Sequence, residues 1–169
     1  TFGRLLTEWS DIREAVAHYA ARAAEKLRAE HLEAAHLSVL IQTNPHNGDP
    51  WYAKHVGGAI EPTSDTRDLI RHATQLAEAV WLPSYRYFKA GVILTDLRPA
   101  GQQAQLFSIR EPKVSSAAMA AMDAINARFG SGIIRPSSTG LSRTWRPRAS
   151  LLSGRYTTRL SEIVHARSW

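Results

Sequence analysis

The hydrophobic period of this chain switches between about 3.6 and 2 residues in a fixed order, and that order is what most constrains its fold. Between Ser10 and Glu30, Ile12, Val16, Tyr19, Ala20, Ala23 and Leu27 recur at helical spacing, with Arg13, Glu14, Arg22, Glu25 and Lys26 on the other side. This predicts an amphipathic helix capped by Ser10. In "HLSVLIQT" (36–43), Leu37, Val39 and Ile41 alternate with Ser38, Leu40 and Gln42, which predicts a strand. "NPHNGDPWYAK" breaks the pattern and leads into a weaker strand over 55–60. After Pro62, Thr63, Ser64 and Asp65 offer caps, and Leu69, Ala73, Leu76, Ala77 and Val80 mark a second amphipathic helix that Pro83 ends. "KAGVILTDL" (89–97) is the most apolar strand, and a short strand is expected at 1–6. The order strand, helix, strand, strand, helix, strand predicts an α+β fold. It is a four-stranded antiparallel sheet with two helices on one face, the split βαβ or ferredoxin-like pattern. The second sheet face is then left to solvent or to a ligand.

These elements fill a domain over 1–98. "RPAGQQAQLFSIREP" follows and reads as a linker over 99–112, by its Pro, Gly and Gln content. Beyond it, a third helix over 114–129 would place Ala118, Met122, Ile125 and Phe129 on one stripe, with Gly130 as terminator. The rest of 113–169 is rich in Gly, Ser, Thr and Arg and shows no second core. A small helical and irregular region that gains order from a partner is expected. Charge divides the same way. Residues 1–100 carry 11 Lys and Arg against 12 Asp and Glu, whereas 101–169 carry 10 against 3. The basic C-terminal part favours a polyanion or an acidic partner, with solubility as the plain alternative. With no cysteine, disulfides, a thiol nucleophile and Cys-ligated zinc are excluded. The longest apolar run, within "AAHLSVLI", is too short for a bilayer span and no signal peptide is evident, so an intracellular protein with no membrane partner is expected.

No catalytic set emerges. His31 and His36 are five apart, which suits neither helical metal spacing. Ser142 in "GLSRT" lacks the second glycine of a nucleophile elbow, and "GSG" at 130–132 is too little for a phosphate loop. Asp65 and Asp68 sit where caps and dipole partners belong. The open sheet face offers Arg4, Thr43, Lys54, Arg86, Tyr87 and Lys89. The last three flank the entry to the final strand and could grip phosphates, or be solvated surface residues. Trp51 and Tyr52 could stack on a base or clamp a long loop.

"YAARAAEKLRAE" (19–30), "KAGVILTDL" (89–97), "MDAINARFGSGII" (122–134) and "SGRYTTRLSEIV" (153–164), in this order and spacing, resemble the C-terminal half of the UmuC family, the Y-family translesion subunits of bacterial DNA polymerase V. The resemblance covers nearly the whole chain. It implies that 1–98 is the little finger, an accessory domain gripping template-primer DNA, and that 113–169 is the UmuC-type C-terminal region. That region's implied partner is the processed UmuD dimer, with Arg155, Tyr156, Thr157, Thr158 and Arg159 as docking candidates, and RecA is a further implied partner. The resemblance also gives sense to "QAQLF" in the linker. Gln103, Leu106 and Phe107 match the Gln-x-x-Leu-Phe pattern of peptides that bind the β sliding clamp, although Gln105 stands where many such peptides carry an acidic or small residue. The family's catalytic palm, with its Mg-binding carboxylates, would precede Thr1. This chain alone is therefore expected to have no catalytic residue, no metal site and no cofactor, and to work in the bacterial cytoplasm at the nucleoid.

Two other classes fit the fold. A single-stranded RNA-binding module would display aromatics on its central strands, but "HLSVLIQT" has none. A small-molecule-sensing regulatory domain would bind its ligand at a dimer edge and show no salt-dependent affinity for polyanions. Because residues 1–100 are slightly acidic overall, DNA binding requires charge segregation to the sheet face or help from the basic C-terminal region.

Overall fold

A computed structural model of the chain describes residues 1–101, 112–147 and 152–163. Helix α1 spans Trp9–Ala29 and buries Ile12, Ala15, Val16, Ala17, Ala20, Ala24 and Leu27, while Tyr19 and Ala23 of the predicted stripe are only half-buried. Glu8, not Ser10, stands at its N-cap, and makes no side-chain capping bond. Strand β1 (Leu32–Thr43) begins four residues earlier than its alternating run, after a turn in which His31 has φ 55°. Strand β2 (Ala53–Thr63) also extends beyond its apolar residues and ends past Pro62, which an edge strand tolerates because its outer side needs no ladder donor. Helix α2 (Thr66–Val80) is capped by Asp65, whose carboxylate accepts the Arg67 amide. Strand β3 (Tyr87–Pro99) closes the sheet, and helix α3 (Pro112–Phe129) follows. The last described elements are two single 3₁₀ turns, Ser137–Thr139 and Leu160–Glu162.

The sheet is antiparallel, in the order β2-β1-β3. Val39 on the central strand lies between Val56 and Val92, and Leu37, Val39 and Ile41 face the buried stripes of α1 and α2. The expected first strand is not a strand. Leu6 alone bridges Tyr87, through two bonds of 2.8 and 2.9 Å, and the Phe2 amide reaches the Phe88 carbonyl. Between them, the Gly3 amide turns away to donate to the Trp145 carbonyl at 2.8 Å. A Cβ on Gly3 would lie 2.3 Å from the Arg146 carbonyl oxygen, so the crossing C-terminal segment diverts the chain from the ladder there.

That crossing segment is part of the core. Trp145 is 2% exposed and packs among Phe2, His18 and Tyr19, with ring centroids 6.4, 5.5 and 5.6 Å away. Its Nε1–H donates to Glu14 at 2.7 Å. Gly140, at φ 70°, passes so close that a Cβ there would overlap the Glu14 carboxylate. The sequence shows no second core in this region because Trp145, its one buried large apolar side chain among the described residues, completes the first, while Ile133, Ile134, Leu141, Leu152 and Leu160 stay exposed. Helix α3 differs from expectation as well: among its described side chains only Met119 is buried, Met122 and Ile125 are half-buried, and Ala118 and Phe129 are exposed. Among the described residues, its hydrogen bonds to the domain are made by polar side chains. Asp123 takes a two-pronged bond from Arg28 on α1, at 2.6 and 2.8 Å, and Ser115 donates to Asp65.

Candidate nucleic-acid interface

Residues directly opposite one another on paired strands share a face. The register therefore assembles the sheet's open face from twelve residues in three rows. The central row is His36, Ser38, Leu40 and Gln42. It is flanked by Ala59, Gly57, His55 and Ala53 on β2, and by Thr95, Ile93, Gly91 and Lys89 on β3. None is a carboxylate. The small residues have packing reasons: a Cβ on Gly57 would lie 2.4 Å from that of Ser38, and one on Gly91 would press on Leu40 at 3.3 Å. Imidazoles fill the gaps. His55 Nε2 meets the Ser38 hydroxyl at 2.9 Å, and His36 Nδ1 meets the Thr95 hydroxyl at 3.1 Å. The result is a shallow platform of backbone, hydroxyl and imidazole groups around the Leu40 and exposed Ile93 side chains and the Gln42 amide, with Ser38 buried beneath it and one exposed ammonium, Lys89.

The expected contact residues do not all reach this platform. Thr43 is fully buried; its hydroxyl accepts the Tyr52 amide at 2.9 Å and donates to the Pro50 carbonyl at 3.1 Å, so it staples the 44–52 loop. Tyr87 is fully buried too, with its hydroxyl accepting the Leu82 amide at 2.8 Å and donating to the Leu82 carbonyl. Burial pushes its phenol above the ordinary tyrosine range. The register shifts between Gln42 and Thr43, leaving Phe88 as an extra residue on β3. That bulge turns Tyr87 inward while Lys89 faces out. Lys54 pairs with Ile41 and so belongs to the helix-side face, exposed only because β2 is an edge strand. Arg86 chelates Asp49 at 2.9 and 2.5 Å, and its hydrogen bond holds that carboxyl below its usual range. Arg4 pairs with Asp11 at 2.5 Å. A phosphate would have to displace a carboxylate to engage either arginine.

Tyr52 is the loop clamp: its hydroxyl donates to the Val80 carbonyl at 2.6 Å and its ring packs 4.9 Å from that of Tyr85. Trp51 is 56% exposed. Sequence reasoning passed over Ser38, His36, His55 and Thr95. The alternation in 36–43 placed Ser38 opposite the apolar row, whereas two glycines hid the period of β2.

Gln103, Leu106 and Phe107 lie outside the described residues. Arg155, Tyr156, Thr157, Thr158 and Arg159 form an exposed turn. Arg155 grips Glu162 through both its backbone amide, at 2.7 Å, and its guanidinium, at 3.0 Å from Nε; Arg159 lies 3.9 Å from the same carboxylate. Leu152 and Leu160 flank the turn at 78% and 84% exposure. Among the described residues, no three His, Asp or Glu side chains converge as a metal site, and no helix is long and apolar enough to cross a membrane.

Comparison with known proteins bears on the same halves of the chain. Residues 1–106 match the impB/mucB/samB family C-terminal domain, and 116–166 match a domain of unknown function, DUF4113. Protein UmuC of Salmonella typhimurium is 37% identical over 99% of this chain and 40% of its own length. Protein SamB of Salmonella typhimurium is 36% identical, with the same coverage. Protein MucB of Escherichia coli is 36% identical over 94% of the chain and 38% of its own length. The chain thus spans about two fifths of the length of the curated relatives it matches. It belongs to the impB/mucB/samB family, whose C-terminal domain its residues 1–106 form.

Proposed function

We propose that this chain is the DNA-gripping and partner-docking C-terminal part of an error-prone translesion DNA polymerase of the SOS response. The observation that carries this reading is the carboxylate-free open face ending at edge strand β3, whose outer side beyond Phe88 pairs with no strand among the described residues. Lys89 supplies charge there, while the unpaired edge and the Thr95 hydroxyl supply neutral donors to phosphate. Such contacts read no base, which suits an enzyme crossing damaged template. The acidity of residues 1–100 is compatible with this, because Asp11, Asp49, Asp65 and Asp96 are all paired with arginines off the platform. The platform carries no Phe, Tyr or Trp, which disfavours the RNA-stacking alternative.

Gln103, Leu106 and Phe107 would tether the polymerase to the sliding clamp, with burial of Leu106 and Phe107 in an apolar groove contributing about 1.5–3 kcal/mol each. The exposed Leu152, Tyr156 and Leu160 around the Arg155–Arg159 turn would form the surface for a UmuD-type dimer. Nucleotide addition, and the Mg ions it uses, would belong to the part of the relatives that this chain does not span. This chain positions DNA and supplies no chemical step.

The test is fluorescence anisotropy with 5′-hydroxyl primer-template DNA at several salt concentrations. Affinity should fall linearly on a log-log salt plot, and Lys89→Ala should flatten the slope by about 1. No binding at low salt, or an unchanged slope, would refute this reading.

A further inference from the structure

On the helix side of the molecule, away from the platform, a pocket of about 300 Å³ opens between α1, α3 and the 131–146 segment. Its lining is charged in one direction. Arg22, Arg28, Arg135, Arg143 and Arg146 contribute five guanidinium groups against the carboxylates of Glu25 and Asp123. Both carboxylates are already engaged, Glu25 by Arg22 and Asp123 by Arg28. Among the described residues, Arg135 bonds only backbone carbonyls, those of Gly132 at 3.1 Å and Leu141 at 3.4 Å, and meets no carboxylate. Arg146 makes no side-chain hydrogen bond or ion pair among the described residues. Arg143 sits at a positive φ of 44°, in the left-handed region that a residue with a Cβ adopts only at a cost, and its Nε–H is buried with no acceptor among the described residues. A buried guanidinium donor with nothing to donate to, facing further arginines that meet no carboxylate among the described residues, is costly unless an anion completes the set.

We propose that this pocket binds a phosphate group presented as a free or chain-terminal monoester or pyrophosphate, held by Arg143 and Arg146 with Arg135 and Arg22 at the rim. Forked guanidinium groups suit phosphate oxygens, which offer several acceptors in a small volume. The size fits as well, lying at the lower end of small-ligand pockets. A duplex backbone does not fit into it.

His18 on α1 lines the same pocket and reports its occupancy. Burial, then the positive fields of Arg143, Arg146, Arg22 and Arg135, lower its pKa to about 4. The groups around it are those arginines, the Tyr19 phenol, the Trp145 ring and, one turn back on α1, the Glu14 carboxylate, which is taken up by the Trp145 Nε1–H and also faces Arg143; an anion entering the pocket offsets the arginines' repulsion and raises the imidazole pKa.

The experiment uses pyrophosphate as probe, read by calorimetry and by NMR titration of the assigned His18 ring in the full chain. Saturable binding with an upward shift of the His18 pKa is expected. Arg143→Ala and Arg146→Ala should each weaken binding about tenfold or more, while Arg13→Ala, an exposed arginine on α1 outside the pocket, should leave it unchanged. Arg146→Lys, which keeps charge but loses the fork, separates a binding defect from misfolding, since its thermal midpoint should hold while affinity drops. Displacement by a 5′-phosphorylated oligonucleotide but not by its 5′-hydroxyl twin would assign a chain-terminal phosphate, and displacement by inorganic phosphate alone a small ligand. No saturable binding, an equal loss in Arg13→Ala, or equal competition by the 5′-hydroxyl oligonucleotide would overturn the proposal.

Discussion

Trp145→Ala tests whether the C-terminal segment belongs to the domain core. Its indole is almost fully buried against Phe2, His18 and Tyr19, and its Nε1–H is bonded to Glu14. Truncating a buried Trp to Ala costs about 3–5 kcal/mol, as lost transfer energy plus the cavity left behind. Glu14 is only half-buried and regains water, so no unpaired buried charge adds to that figure. For a chain of this size about 1 kcal/mol moves the melting midpoint by about 2–4 °C, which gives a fall of about 6–20 °C. Trp145→Phe keeps most of the apolar contact and loses the hydrogen bond, at about 1 kcal/mol and about 2–4 °C. Differential scanning calorimetry of the two variants beside the parent measures both. If Trp145→Ala melts within about 1 °C of the parent, the segment is an independent appendage and the docking described above is wrong.

Tyr87→Phe removes a hydroxyl that bonds both the amide and the carbonyl of Leu82, so it should cost about 1 kcal/mol in urea denaturation. It should leave DNA affinity unchanged, and a tenfold loss in the anisotropy assay would put Tyr87 back in the interface. Asp65 gives a pH signature. Its burial opposes ionisation, but bonds from the Arg67 side chain, Ser115 and the Arg67 amide outweigh it and hold the carboxyl at about 2. Because the folded value lies below the unfolded one, the stabilisation is full above about pH 4 and is lost as pH falls towards 2. Asp65→Asn should therefore destabilise by about 2 kcal/mol at pH 7 and much less at pH 2.5, and a pH-independent difference would contradict this.

Helices α1 and α2 and strands β1 and β3 were legible because each carries its own period, and the signal is local; β2, its period hidden by Gly57 and Gly58, showed only as a weaker strand over 55–60. Apart from the α1 N-cap, where Glu8 stands in place of Ser10, the misses involve contacts that the local pattern does not encode. Thr1 to Leu6 reads as a strand until Trp145 and Arg146 cross it at Gly3, about 140 residues away. Arg86, Tyr87 and Lys89 read as one cluster, and strict alternation would place Tyr87 and Lys89 on one face. The bulge at Phe88 separates them, and bulges leave no mark in a pattern of apolar residues. Thr43 is a polar residue at a strand end, where inward and outward placement look alike in sequence; its role as a loop staple depends on Tyr52 nine residues on. Arg135, Arg143 and Arg146 were visible as basic residues, but their convergence on α1 follows from the docking of Trp145. The family resemblance was the most legible feature of all, since its four matched stretches needed no geometry.

The most direct measurement of the central claim is an amide chemical-shift map of the chain titrated with 5′-hydroxyl primer-template DNA. The account predicts shifts over 36–42, 53–59 and 89–98, on the open face and the β3 edge, with α1 and α2 unmoved. Shifts concentrated on the helices, or none at DNA concentrations that saturate the anisotropy signal, would contradict it.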